Sequence, residues 1–175
     1  AAPRGHLLEI GWAQVRNTVP HPHACLIALP DGEPIPPTVS RVTGISENMM
    51  RSAVDGRHAW SELSHQAARL TQQPAPTVIH FAQFEQPFLR TLAGGVFPLD
   101  VVCTRDIARR LLPNLPRCSL RALAGYFGRA VGALRRSADH VEATAFVWHE
   151  LVGLLDRQGV STWGALHDWL VAPVE

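Results

Sequence analysis

The sequence predicts an α/β domain, and three observations carry that prediction. Two strand-like segments open the chain, "HLLEIGWAQV" (His6 to Val15) and "HACLIAL" (His23 to Leu29). Helix-patterned and strand-patterned segments then alternate as far as "RDIARRLLP". The remainder is helical. Strands first, then alternation, then helices is the order of a sheet covered by helices.

Each element has a local reason. The first segment is rich in apolar and aromatic residues, the second reads as its neighbour, and "RNTVPHP" between them is turn-like, so they should form a hairpin. His21 and His23 in "HPH" have no ligand partners nearby and read as loop residues. "PDGEPIPPTVSRVTGIS" holds four prolines and two glycines, which predicts irregular structure over most of its length. "SENMMRSAV" reads as a short helix opened by Ser46. In "AWSELSHQAARL", Trp60, Leu63, Ala67 and Leu70 recur at helical spacing, with Ser61 as candidate cap. A strand follows from Thr77 to His80, then a helix from about Phe84. "PLDVVCT" is a further strand, and "RDIARRLLP" a helix stopped by Pro113. "CSLRALAGYFG" is a short helix ending in Gly. "SADHVEATAFVWHELVGLLDRQG" is the longest helix, with His140, Thr144, Val147, Leu151 and Leu154 on one face and Gly159 closing it. "STWGALHDWLV" is the last, with Ser161 as cap.

Composition sets the class. At 175 residues and 46% hydrophobic content, the chain reads as a single domain, 1–175, with a real core. No apolar run reaches the ~18–20 residues of a membrane span and no signal peptide is visible, so a soluble, cytoplasmic protein without membrane partners is expected. Cys25, Cys103 and Cys118 fit no zinc spacing and read as small apolar residues. Four of the five tryptophans, Trp12, Trp60, Trp163 and Trp169, fall on amphipathic patterns and are assigned to core.

All 16 basic residues are Arg, each a planar fork suited to phosphate and carboxylate. Eight of them lie between Arg105 and Arg136, against one acid, Asp106. A solvated helix face is the simpler reading of that run, and a phosphate-binding flank the sharper one.

Two groups stand out where a strand meets a helix. In "TVIHFAQFEQPFLR", His80 and Glu85 sit at the carboxyl end of a buried strand, where open α/β sheets place their ligands. Glu85 also reads simply as an acid in a first helical turn, favoured by the helix dipole. His80 reads as a structural hydrogen-bonding residue.

These pieces resemble, in order, the DnaQ-like (DEDDh) 3′–5′ exonucleases. "LLEIGWAQV" is similar to the family's second strand and "VTGIS" to its "GIT" turn. "VIHFAQFEQPFL" resembles its "HNxxFD" motif. "CTRDIARRLLP" and "SLRALAGYFG" match the next two segments, and "RRSADHVEATAFVWHEL" the last helix. The resemblance spans roughly residues 6–156.

It implies an RNase H-like fold, a mixed central sheet flanked by helices. It also implies hydrolysis of single-stranded DNA or RNA from the 3′ end, with two divalent ions, Mg or Mn, held by four carboxylates and a His as base. None of those carboxylates recurs unchanged. Glu85 stands at the third, as catalytic group and metal ligand. In the last helix His140 falls on the family's Asp and Arg135 on its His, with Asp139 and Glu142 beside them. Asp139 is either a replacement metal ligand next to a catalytic His140, or a first-turn acid behind a Ser137 cap. Cys103 stands where the family has Asp. Glu9 reads as structural, and Arg135 with Arg136 as phosphate ligands.

The family's first strand, carrying D-x-E, has no counterpart here, and by resemblance it is the central one. The chain is therefore expected to be a fragment of a longer protein, with other domains or a larger DNA-processing complex as partners. "WLVAPVE" ends without a helix stop, which points to further residues downstream. The alternative is an inactive exonuclease-like domain that binds nucleic acid or a partner protein. A variant nuclease using Glu85, Asp139 and His140 is a further reading.

Overall fold

The computed structural model describes residues 5–15, 20–30, 33–70 and 73–173. It holds four strands, β1 (Glu9–Trp12), β2 (His23–Leu26), β3 (Ala75–Ile79) and β4 (Leu99–Cys103). With them are helices α1 (Pro37–Thr43), α2 (Gly56–Ala68), α3 (Ala82–Ala93), α4 (Thr104–Leu111), α5 (Leu120–Tyr126), α6 (Ser137–Arg157) and α7 (Trp163–Val171). A 3₁₀ turn spans Met49–Ser52. Among the described residues no helix is long and apolar enough to cross a membrane.

The strands form two sheets rather than the one expected. β1 and β2 pair antiparallel, with Glu9 opposite Leu26 and Trp12 opposite His23. Residues 16–19 of their link lie outside the described residues. His23 is the first residue of β2, where the strand reading of "HACLIAL" and not the loop reading of "HPH" put it, and it stacks on Trp12. β3 and β4 pair parallel, from Ala75 opposite Leu99 to Ile79 opposite Cys103. Among the described residues nothing joins β1 to β3, and their facing edges line a groove of roughly 1690 Å³. Open edges carry unpaired N–H and C=O groups, so this split is energetically unusual for a sheet interior.

Helices hold the two sheets in place. Ala59, Trp60, Leu63 and Ala67 of α2 pack with Ile10 of β1, Ala75 of β3 and Leu99 of β4 in one apolar cluster. α6 packs against β1, β2 and β3. Its buried face is Ala143, Val147, Leu151 and Leu155, continuous with Ile107, Leu123 and Leu166 from α4, α5 and α7. β1 approaches α6 so closely that a Cβ on Gly11 would lie 2.8 Å from the Ser137 Cβ. Only Gly fits that contact.

Several expected boundaries move, each for a local reason. The proline-rich segment forms α1 after all: Pro37 sits in its first turn, where a missing N–H costs nothing, and Gly44 at φ 73° ends it. α2 starts at Gly56 because Asp55, not Ser61, accepts the Arg57 N–H at 2.8 Å. Thr162, not Ser161, caps α7 by accepting from Ala165 N at 3.1 Å. Ser137 is the first helical residue of α6 rather than its cap.

Candidate functional site

The groove is built from the ends of β3 and α3, the start of α6 and the edge of β1. His80 follows β3, and its Nδ1 lies 2.9 Å from the Thr104 hydroxyl, which is fully buried at the start of α4. Burial, with the nearby cations Arg105 and His140, lowers the His80 pKa to about 4 against the opposing pull of Asp106. His80 is therefore a neutral group at pH 7. Phe81 comes next, with left-handed backbone at φ 61°, a costly conformation for a bulky side chain. The first N–H of α3, on Ala82, is satisfied by the Cys103 Sγ at 3.4 Å. That is the use the structure makes of the cysteine at a position where an acid was expected.

Glu85 lies in the first turn of α3. Its carboxyl is raised above the ordinary range because the groove strips water from it, although the charge of His140 pulls the other way. His80, Glu85 and His140 all line the groove, and the charge of His140 acts on both of the others. His140 Nε2 lies 3.1 Å from the Leu134 carbonyl. A carbonyl only accepts, so Nε2 donates this bond.

The remaining predicted residues part company. Arg135 is exposed and lines the groove. Arg136, expected beside it as a phosphate ligand, instead turns to β1: its Nε donates to Glu9 Oε1 at 3.0 Å and Oε2 at 3.2 Å, and Nη2 donates to Oε1 as well. Ser137 N–H adds a bond to Glu9 Oε2 at 2.8 Å. Burial pushes the Glu9 carboxyl up, but those hydrogen bonds and the Arg136 charge outweigh it and hold the group below its usual value. Asp139 accepts from Arg136 N at 3.2 Å and lines a separate hollow of roughly 570 Å³ with Glu9, Cys25 and Met49. It does not face Glu85 across the groove.

The sequence marks Arg105 only as one end of the arginine run and does not single out Phe81. The Arg105 guanidinium sits 4.4 Å from the centre of the Phe81 ring. The arginine run was visible, but nothing local indicated an aromatic partner. Five arginines line the groove, 105, 109, 117, 121 and 135, against two acids, Glu9 and Glu85. Among the described residues no three His, Cys, Asp or Glu side chains are grouped to hold a metal ion. Glu85 and His140 alone do not furnish the donor set of a two-metal centre.

The state of His80 gives a measurable pH dependence. The folded chain holds this proton less tightly than the unfolded one, so between pH 6.5 and about 4 it binds fewer protons. Stability is then full above pH 6.5 and lost as pH falls through that window. From pH 7 to pH 5 the loss due to His80 is expected to be about 1–2 kcal/mol. Urea unfolding at both pH values checks this; His80→Asn should flatten the difference, and an equal loss in both proteins would refute it.

Comparison with known proteins agrees with this architecture. No protein-family model matches the chain. It is 30% identical over 176 residues to a protein of Mycobacterium tuberculosis (strain CDC 1551 / Oshkosh) named "putative bifunctional exonuclease/endonuclease protein". That alignment takes in 97% of this chain but 26% of the relative, so the chain spans about a quarter of the relative's length. A solved structure, Exonuclease X in complex with 5′ overhanging duplex DNA, superposes with a TM-score of 0.65 at 20% identity, over 97% of this chain and 95% of that one. The chain thus shares the fold of an exonuclease.

Proposed function

We propose that the chain is the exonuclease-like part of a longer protein that trims single-stranded nucleic acid from the 3′ end. The observation that carries this reading is that Glu85, His80 and His140 line one groove together with five arginines. The likeness in fold to an exonuclease and in sequence to part of an exonuclease/endonuclease protein supports it.

The groove itself supports the completion of the fold. A strand seated between β1 and β3 would turn two sheets into one mixed RNase H-like sheet and pair both open edges. Neighbouring strands need about 4.8 Å each. Two acids on that strand, beside Glu85, would supply the carboxylates that Mg or Mn requires and the described residues lack. The alternative, a binding module without catalysis, is favoured by that same lack.

The test is release of nucleotides from a 3′-labelled single strand. The 175-residue chain alone is expected to be silent. A longer polypeptide with an acidic strand ahead of β1 is expected to release nucleotides, and a chelator to stop it. Binding without release by the longer polypeptide would favour the binding module.

A further inference from the structure

We infer that Thr104 is a positioning residue: its hydroxyl donates to His80 Nδ1 and so holds the ring as the tautomer with hydrogen on Nε2, a donor for an anionic oxygen of a ligand in the groove. This deepens the reading above, and the choice of ligand rests on it. Thr104 is the first residue of α4 and is fully buried, with its hydroxyl oxygen 2.9 Å from His80 Nδ1. Beside it, Cys103 Sγ accepts from the Ala82 N–H at 3.4 Å. Two side-chain bonds therefore tie the turn after β3 to the turn after β4.

A tie between turns is served equally by either direction of donation. The buried hydroxyl leaves only one. If the ring donated from Nδ1, the Thr104 hydrogen would need another acceptor. Among the described residues Thr104 makes no second side-chain hydrogen bond, and the first residue of a helix has no preceding helical turn to offer a carbonyl. A buried hydrogen left unpaired costs about as much as a hydrogen bond contributes, or more. Donation from Thr104 to Nδ1 leaves no such orphan. A neutral ring that accepts at Nδ1 carries its one hydrogen at Nε2. The ring is neutral at pH 7, because burial and the nearby cations lower its pKa to about 4.

The surroundings select what Nε2 meets. His80 lines the groove, and among the described residues its Nε2 has no acceptor. Arg105, Arg109, Arg117, Arg121 and Arg135 line the same groove. A wall of donors is complemented by an oxygen-rich anion, and a phosphodiester chain presents such oxygens at regular intervals. An Nε2 that already carries hydrogen cannot take up a proton from that ligand, so His80 binds there and does not act as a base.

The test reads the ring first and the ligand second. Proton–nitrogen correlation spectra of the imidazole rings at pH 7, with His80 assigned by the loss of its signals in His80→Asn, are expected to show hydrogen on Nε2 and a bare Nδ1. Thr104→Ser should keep that pattern. Thr104→Val, of the same shape without the hydroxyl, should populate both tautomers. A wild-type ring protonated at Nδ1, or a ring unchanged in Thr104→Val, overturns the inference. Fluorescence anisotropy with a thymidine oligonucleotide in a chelating buffer then reads the ligand. Thr104→Val should bind about 2- to 12-fold more weakly, the range of one net hydrogen bond, and Thr104→Ser like the wild type. The salt slope should stay the same in all three, since no charge is removed. Equal affinity of wild type and Thr104→Val overturns the donor role, while the nucleic-acid reading stands. Binding by none of the three proteins removes that reading and the donor role together, whatever the tautomer. Thermal melting identifies a variant that does not fold; if Thr104→Val is one, the wild-type ring and Thr104→Ser still decide.

Discussion

On the proposed reading, in which Glu85 acts at the reacting phosphate, replacing it with Gln in a longer polypeptide that releases nucleotides is expected to lower the rate on the order of 100-fold or more, since loss of such a group is worth several kcal/mol of barrier. The same substitution is expected to stabilise the fold at pH 7. The Glu85 carboxyl is raised above its ordinary 4.5 by loss of water, so its folded form holds the proton more tightly than the unfolded chain does. Any stability from this group is complete below pH 4.5 and is lost as pH rises through the folded pKa. At neutral pH the carboxylate is a net cost, and a neutral amide of similar shape removes it. Loss of rate with gain of stability is the pattern of a residue kept for chemistry. Denaturant midpoints and rates on the same two proteins check it. A Glu85→Gln protein that is less stable, or fully active, would return Glu85 to the role of a first-turn helix acid.

Breaking the clamp between β1 and α6 is expected to have the largest effect on stability. The Glu9 side chain is 9% exposed and the Arg136 side chain 32%. Removing one partner of a buried pair costs about 3–5 kcal/mol, and the access of Arg136 to water trims that figure. Glu9→Gln should therefore cost about 2–4 kcal/mol. The clamp also has a pH signature. The folded Glu9 carboxyl lies below 4.5, so its contribution is complete above pH 4.5 and is lost as pH falls through the folded pKa. The wild-type midpoint in urea should drop on acidification below that point, and the Glu9→Gln midpoint should drop less. Equal acid sensitivity in the two proteins would show that the pair contributes little.

What could be read in the sequence, and what could not, divides by distance along the chain. β3, α3, β4, α4 and α6 were legible because apolar spacing, a stop at Pro113 and a Gly at 159 all act within a few residues. α1 was not legible because four nearby prolines signal a break, whereas Pro37 is harmless in a first turn. Caps fell one or several residues away, since Asp55 and Thr162 compete with nearby serines through geometry that spacing does not show. Glu85 and His140 could be nominated because each stands at the end of a legible element. Arg136 could not be separated from Arg135, because the carboxylate that claims it lies on β1 at the other end of the chain. The open groove is the consequence of a strand order that no local pattern reveals.

The Glu9–Arg136 contact also joins residues 127 positions apart. A ribosome adds about 5–20 residues per second, so β1 emerges roughly 6–25 s before the helix that secures it. During that interval β1 and β2 can pair as a hairpin, but the partner that fixes their depth in the fold does not yet exist. Such an interval leaves an apolar ribbon within reach of other nascent chains, and holding it apart is the task of a chaperone. The yield of soluble protein should accordingly depend on translation speed and on chaperone supply more than the finished fold would suggest.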